Sequence, residues 1–292
     1  MGTSNAYGGP GSGTPLLPSW LGPDGGPPPP VPEPPADNGA GNGGPAPIPT
    51  PPIFPAIPVA APGDRFRVAR NNFTRFASSG GSDRASLGRS VSNYVSTASG
   101  GSRTAAQRMG ASRTSGARLL GFLSGAVANG SVVALRALNL AHLAGRPIEE
   151  VFLGLMEYVC PEGGTVDEGI AREAFIETIA DLAQNEIVDI DGLTADQMQT
   201  IFELYASHAI EARLCNDIGT KSITVPADPA DAARVQTQLF DFVRRSVADA
   251  LTSTREAMLA LTPERVTGFV TRIYEQAFSI LQSLGDEEAD AR

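Results

Sequence analysis

Apolar residues recur at helical spacing through the second half of this chain. Ile148, Val151, Phe152, Leu155 and Val159 fall at i, i+3, i+4, i+7 and i+11, one face of a 3.6-residue repeat. Pro147 suits the entrance of that helix, and Pro161, Gly163 and Gly164 stop it. A capping pair, Thr165 with Glu168, then precedes a face of Ile170, Ala174, Phe175, Ile179 and Leu182. Thr194 and Gln197 repeat the device ahead of Met198, Ile201, Phe202, Tyr205 and Ala209. Asp228-Pro229 opens a long helix carrying Val235, Leu239, Phe242 and Val243. Thr262-Pro263 opens the last, with Val266, Phe269, Val270, Ile273, Ala277, Ile280 and Leu284 on one side. Only Ser222–Val225 is strand-like, and it is too short to build a sheet alone. The expected fold class is an all-α helical bundle.

The pattern changes upstream. Residues 119–143 are largely apolar, and Arg118 and Arg136 bracket 17 uncharged positions. That is short of the roughly 20 apolar residues of a membrane helix, and Gly121, Ser124, Gly125, Asn129, Gly130 and Ser131 dilute it, so a buried helix is expected. Leu87, Val91, Tyr94 and Val95 have helical spacing, which predicts short helices near 83–98 and 103–128. Before residue 65 the periodicity disappears. Nineteen of the 24 prolines lie before residue 63, and such a stretch buries too little apolar surface to offset the entropy of ordering it. The bundle is therefore expected to follow a long disordered Pro/Gly-rich N-terminal arm. Its second half, rich in Pro, favours a stiff polyproline II spacer. The domain reading is an arm over 1–64, a partly helical Arg/Ser/Gly-rich basic segment over 65–118, an acidic all-helical domain over 119–285, and a disordered acidic tail over 286–292.

Charge sharpens this division. The net charge of −10 is unevenly spread. Residues 1–64 carry four acids and no Lys or Arg; residues 65–118 carry ten arginines and one acid, Asp83; residues 119–292 carry 12 basic and 27 acidic residues. A basic block beside an acidic domain either folds back onto that domain or binds an external polyanion. In the second case Arg84, Arg89, Arg103, Arg108, Arg113 and Arg118 are the phosphate-facing candidates. Four of these recur every five residues, from Arg103 to Arg118, a spacing that spirals around a helix rather than forming one stripe.

The residues offer little for catalysis. Lys221 is the only lysine and Thr220 precedes it, which excludes a phosphate-binding Gly-Lys-Ser/Thr loop. Aligning Gly192 to the glycine of a calcium loop puts Ile187 and Met198 where Asp and Glu are required. His142 and His208 are the only histidines. His208, Glu211 and Cys215 share a helix but lack the ligand set of a zinc site and a group to orient a nucleophile's base. No metal, no cofactor and no enzymatic activity are expected. Cys160 and Cys215 make no disulfide framework, and no basic start leads into an apolar run, which points to a cytoplasmic protein.

The most distinctive stretch is the beginning: Met1-Gly2-Thr3-Ser4, Tyr7-Gly8-Gly9-Pro10, then Thr14-Pro15-Leu16-Leu17-Pro18-Ser19-Trp20-Leu21. With the Arg-rich segment and the acidic helical half, it resembles the QatB family of bacterial Qat anti-phage defence systems. The resemblance implies three partners: an ATPase, a QueC-like enzyme and a TatD-like nuclease. QueC-like enzymes convert a 7-deazaguanine carboxylate to a nitrile, and defence relatives resemble enzymes that join that acid to a protein amine. Removal of Met1 would expose the α-amine of Gly2, whose ordinary pKa of about 7.7–8.0 leaves a neutral, nucleophilic fraction. The resemblance thus implies a non-catalytic adaptor whose beginning is either modified at Gly2 with a 7-deazaguanine group or serves only as a docking peptide. Tyr7, Leu16, Leu17, Trp20 and Leu21 are the docking candidates, with Trp20 set either in a partner's pocket or on the chain's own bundle. Myristoylation of Gly2 does not fit, because Ala6 stands where Ser or Thr is expected. The alternative is a nucleic-acid sensor built on the six arginines, with a salt-dependent affinity.

Overall fold

The structure, a computed structural model, describes residues 65–291 except 186, 220–225, 227, 253–257 and 259–260. The arm at 1–64, with Gly2, Tyr7, Leu16, Leu17, Trp20 and Leu21, and the strand-like Ser222–Val225 lie outside the described residues.

Ten α-helices follow in order, and no strand occurs among the described residues. They are α1 (Arg67–Ser78), α2 (Arg84–Asn93), α3 (Ser102–Gln107), α4 (Gly110–Asn129), α5 (Ser131–Ala137), α6 (Ile148–Val159), α7 (Val166–Leu182), α8 (Ala195–Leu214), α9 (Pro229–Thr252) and α10 (Pro263–Asp290). Two of them widen at their C-terminal ends into single π-helical turns, Tyr94–Ala98 after α2 and Cys215–Gly219 after α8. The entrances are those the sequence marks. Thr194 Oγ1 accepts from the Gln197 amide while Gln197 Oε1 accepts from the Thr194 amide, closing a capping box. Thr165 and Glu168 form the same reciprocal pair ahead of α7. Asp228 accepts from the Ala230 amide at 2.9 Å ahead of α9.

Helix α8 runs through the middle of the bundle. It packs on α7, α9 and α4, and Met198, Ile201, Phe202, Tyr205, Ala209 and Ile210 are buried along it. Tyr205 donates to the Ser112 carbonyl on α4 at 3.1 Å, which satisfies a hydroxyl that would otherwise be lost in the core. Phe175 of α7 stacks on Phe152 of α6 with ring centroids 5.6 Å apart. Each fully buried side chain of this size contributes about 1.5–3 kcal/mol relative to exposure. No helix among the described residues is long and apolar enough to cross a membrane. The apolar run after Arg118 instead buries Leu119, Leu120, Phe122, Leu123 and Ala126 within α4. It breaks at Gly130, whose φ of +87° is a conformation that L side chains rarely adopt.

Two boundaries differ from the compositional reading. The 118/119 division falls inside α4, so the basic segment and the acidic domain share one helix and one core. Phe66, Phe73 and Phe76 ahead of it belong to that core as well. The second difference is at 286–292, expected as a disordered tail: α10 continues through Asp290. Its last turns lie against α2, where Ser92 Oγ donates to Asp286 at 2.5 Å and Arg84 Nε meets Glu288 Oε1 at 2.7 Å. Gly88 and Gly285 allow the approach. A Cβ added to Gly88 would stand 2.5 Å from the Gly285 carbonyl, and one added to Gly285 would stand 2.8 Å from the Gly88 carbonyl. The acidic end is thus held by partners 194 and 204 residues away, which local composition does not reveal.

Candidate functional site

The six arginines singled out in the sequence do not form one surface. Arg84 pairs with Glu288, and Arg89 donates to Ser86 Oγ at 3.1 Å. Arg113 donates to Thr271 Oγ1 of α10 at 3.2 Å. Arg103 is 80% exposed and stands 3.9 Å from Glu275 of α10. Arg118 lines a groove of about 590 Å³ with Gly121, Gly125, Tyr158 and Val266. Of the two roles the charge asymmetry left open, folding back is what Arg84, Arg103, Arg108 and Arg113 do.

Arg108 goes furthest inward. Its guanidinium meets Asp217 Oδ2 at 3.1 Å and lies over the Phe66 ring, 5.1 Å from its centroid. Asp217 also accepts from Tyr94 Oη at 2.9 Å and from Arg213 Nε at 3.3 Å. Arg213 in turn pairs with Asp167 of α7, and Arg70 of α1 donates to the Asp217 and Ile218 carbonyls. The two π-helical turns meet here, since Tyr94 opens one and Asp217 lies in the other. The extra residue in such a turn displaces side chains from the regular register. Burial and the neighbouring Asp217 keep the Tyr94 phenol protonated far above its ordinary range. This network ties α1, α7, α8 and both π turns to Arg108, the residue that ends α3.

A second cluster is open. Helices α7, α8 and α9 enclose a pocket of about 530 Å³ lined by Glu173, Glu177 and Asp181 from α7, His208 and Glu211 from α8, Cys215 from the π turn that follows it, and Phe240 and Arg244 from α9, among others. Four carboxylates face one guanidinium, and Arg244 is committed to Glu203 at 2.8 Å. His208 stacks on Phe240 with centroids 4.5 Å apart, and its Nε2 is 2.9 Å from Asp181 Oδ2. Glu211 is only 9% exposed and accepts no hydrogen bond from a described residue. Its nearest basic atom, His208 Nδ1, is 3.9 Å away. Burial, then Glu177, Glu173 and Asp181, push its carboxyl up to about 7. Although Cys215 is exposed overall, crowding of its thiol by surrounding protein, with Glu211 and Glu173, pushes that thiol up to about 12, which makes it a poor nucleophile.

The sequence had placed His208, Glu211 and Cys215 on one helix. The pocket adds what spacing along one helix does not supply: Asp181 and Phe240, from helices on either side. No group of three His, Cys, Asp or Glu among the described residues is arranged to hold a metal ion.

A family model described as the Qat anti-phage system associated protein QatB matches residues 100–281. That span runs from just before α3 into α10 and contains every residue of the acidic pocket, while α1 and α2 precede it. No curated protein and no solved structure matches the chain. The family match covers more than half of the sequence, and the helical body contains it, so the chain belongs to the QatB family of the Qat anti-phage defence system.

Proposed function

We propose that this chain acts in Qat defence as a non-catalytic adaptor whose helical body is a platform and whose arm presents Gly2 for covalent modification. The partners are those the family resemblance implies: an ATPase, a QueC-like enzyme and a TatD-like nuclease. The arm is suited to reach an active site: 64 residues at no more than about 3.3–3.6 Å each give a contour near 200 Å. Its lack of Lys and Arg leaves the α-amine as the only basic group there. In the reaction, the 7-deazaguanine carboxylate attacks the α-phosphorus of a nucleoside triphosphate, which forms an acyl nucleotide and releases pyrophosphate. The Gly2 nitrogen attacks the acyl carbon, the C–N bond forms, the nucleotide leaves, and the amine gives up a proton. Tyr7, Leu16, Leu17, Trp20 and Leu21 supply the docking contacts that hold the arm to its enzyme.

The observation that carries the adaptor reading over nucleic-acid sensing is the engagement of the basic segment. Arg108 is held in the Asp217 network, and Arg84 and Arg113 bond to α10. Guanidinium groups occupied in this way would have to release protein partners before they met phosphates. Intact mass of the protein co-expressed with its QueC-like partner tests the modification. The expected result is a 7-deazaguanine acyl adduct mapping to Gly2; an unmodified Gly2 in a system that still blocks phage would refute it. A gel shift with single- and double-stranded DNA and RNA tests the competing reading. Salt-sensitive binding that Arg103→Ala and Arg118→Ala abolish would favour it.

A further inference from the structure

The pocket between α7, α8 and α9 has no part in the adaptor reading, yet it has the composition of a ligand site. Its volume of about 530 Å³ lies within the usual range for small-molecule pockets, roughly 300–1,000 Å³. One side is a stacked His208–Phe240 pair and the other is acidic. Glu211 makes the arrangement unusual. A carboxylate that is nine-tenths buried normally has donors, because an unpaired buried charge is costly. Glu211 has none within hydrogen-bond reach among the described residues, and three further carboxylates line the same space. Asp181 is engaged by His208 and Arg244 by Glu203, so among the described residues Glu173 and Glu177 have no cationic partner in contact and Glu211 has only the His208 ring, 3.9 Å away and already bonded to Asp181. The site is short of positive charge and of hydrogen-bond donors.

We propose that this pocket binds an aliphatic ammonium group, with Glu211 and Glu177 accepting its N–H bonds and the Phe240–His208 stack flanking its alkyl stem. An ammonium supplies three donors on one compact cation, which matches several carboxylates converging from two helices. A methylene stem fits the aromatic wall, and a cation near the face of an aromatic ring gains further attraction. An ordered metal ion is a poorer match, since no set of His, Cys, Asp and Glu among the described residues has metal-binding geometry. Two sources offer this chemistry: a free polyamine, or a lysine side chain from a partner protein. The groups that titrate or carry charge around the site are Glu173, Glu177 and Asp181 on α7, His208 and Glu211 on α8, Cys215 in the π turn that follows it, and Arg244 with its partner Glu203. Proton and ammonium compete for Glu211, so affinity rises with pH.

The test uses the full chain with two probes, spermidine and a capped dilysine peptide. Calorimetry and the backbone amide shifts of residues 173–181, 208–215 and 240 read the binding. Saturable binding of either probe is expected, with amide shifts confined to these residues. Glu211→Gln is expected to weaken it by about tenfold, equivalent to about 1.4 kcal/mol. Glu177→Gln, at an exposed position where folding is not at stake, should weaken it in the same direction. Affinity should rise about tenfold between pH 6 and pH 8 as Glu211 loses its proton. Tighter binding of spermidine identifies a free polyamine, and tighter binding of dilysine identifies a protein side chain. Saturation by neither probe below about 10 mM, a dissociation constant too weak for a specific site, overturns the proposal. So does equal affinity in both variants and the parent. Loss of Gly2 modification would leave these outcomes unchanged, so the two ideas fail separately.

Discussion

Replacing Glu211 with glutamine isolates the electrostatic cost built into the acidic pocket. In the folded protein the Glu211 carboxyl titrates at about 7 rather than near 4.5, because burial and the charges of Glu177, Glu173 and Asp181 all oppose ionisation. The fold therefore holds the proton more tightly than the unfolded chain does. The associated stability is fully present below about pH 4.5 and is lost as the pH rises through about 7. At 1.36 kcal/mol per pH unit, the gap between these values corresponds to about 3 kcal/mol, most of it expressed between pH 5 and pH 8. Glutamine has nearly the same shape and no charge, so Glu211→Gln removes this penalty. Urea denaturation of both proteins at pH 5, 6, 7 and 8 is the assay. The stability difference, variant minus wild type, should grow by about 2–3 kcal/mol from pH 5 to pH 8 in favour of the variant. Titrating groups common to both proteins cancel to first order in that difference, which matters with His208 only 3.9 Å away. Parallel pH curves, or a variant less stable than wild type at pH 8, would refute the reasoning. Such an outcome would mean that Glu211 finds a donor the structure does not provide.

The remaining predictions concern packing and pairing elsewhere in the bundle. Gly88→Ala should cost about 1–3 kcal/mol in chemical denaturation, because its Cβ would meet the Gly285 carbonyl of α10 and neither backbone can move freely. Asp217→Ala leaves Arg108 and Arg213 without their shared carboxylate and should cost about 3–5 kcal/mol, the range for breaking a buried pair, with a fall in thermal midpoint as the readout. Arg103→Ala should change stability by no more than about 0.5 kcal/mol, since its side chain is 80% exposed and its contact with Glu275 is a surface one. Thr194→Ala removes one side of the α8 capping box and should cost about 1 kcal/mol by the same measurement.

What could be read along the chain was everything local. Helix entrances at Thr165, Thr194, Asp228 and Pro263, and the apolar faces behind them, depend on residues three or four apart, and the structure places them as their spacing requires. Long-range pairing could not be read in this way. A charge count leaves Arg65–Arg118 either folded back or bound to a polyanion, and makes 286–292 a disordered acidic tail, because each is unbalanced within its own window. Across the fold the arginines find acids far along the chain, one of them in that tail: Arg84 meets Glu288, Arg103 approaches Glu275, and Arg108 meets Asp217. The five-residue spacing of the arginines carried a hint of this, because a spiral of charges suits several surrounding helices better than one polyanion. The acidic pocket was hidden for a related reason. His208 and Glu211 share a helix and drew notice together, but Asp181 lies 27 residues earlier and Phe240 on a later helix. Asp167 of α7 pairs with Arg213 and Asp181 with His208, while Glu173 and Glu177 on the same helix meet no cation among the described residues. A cationic ligand bound in the α7–α8–α9 pocket would supply the charge that its four carboxylates lack.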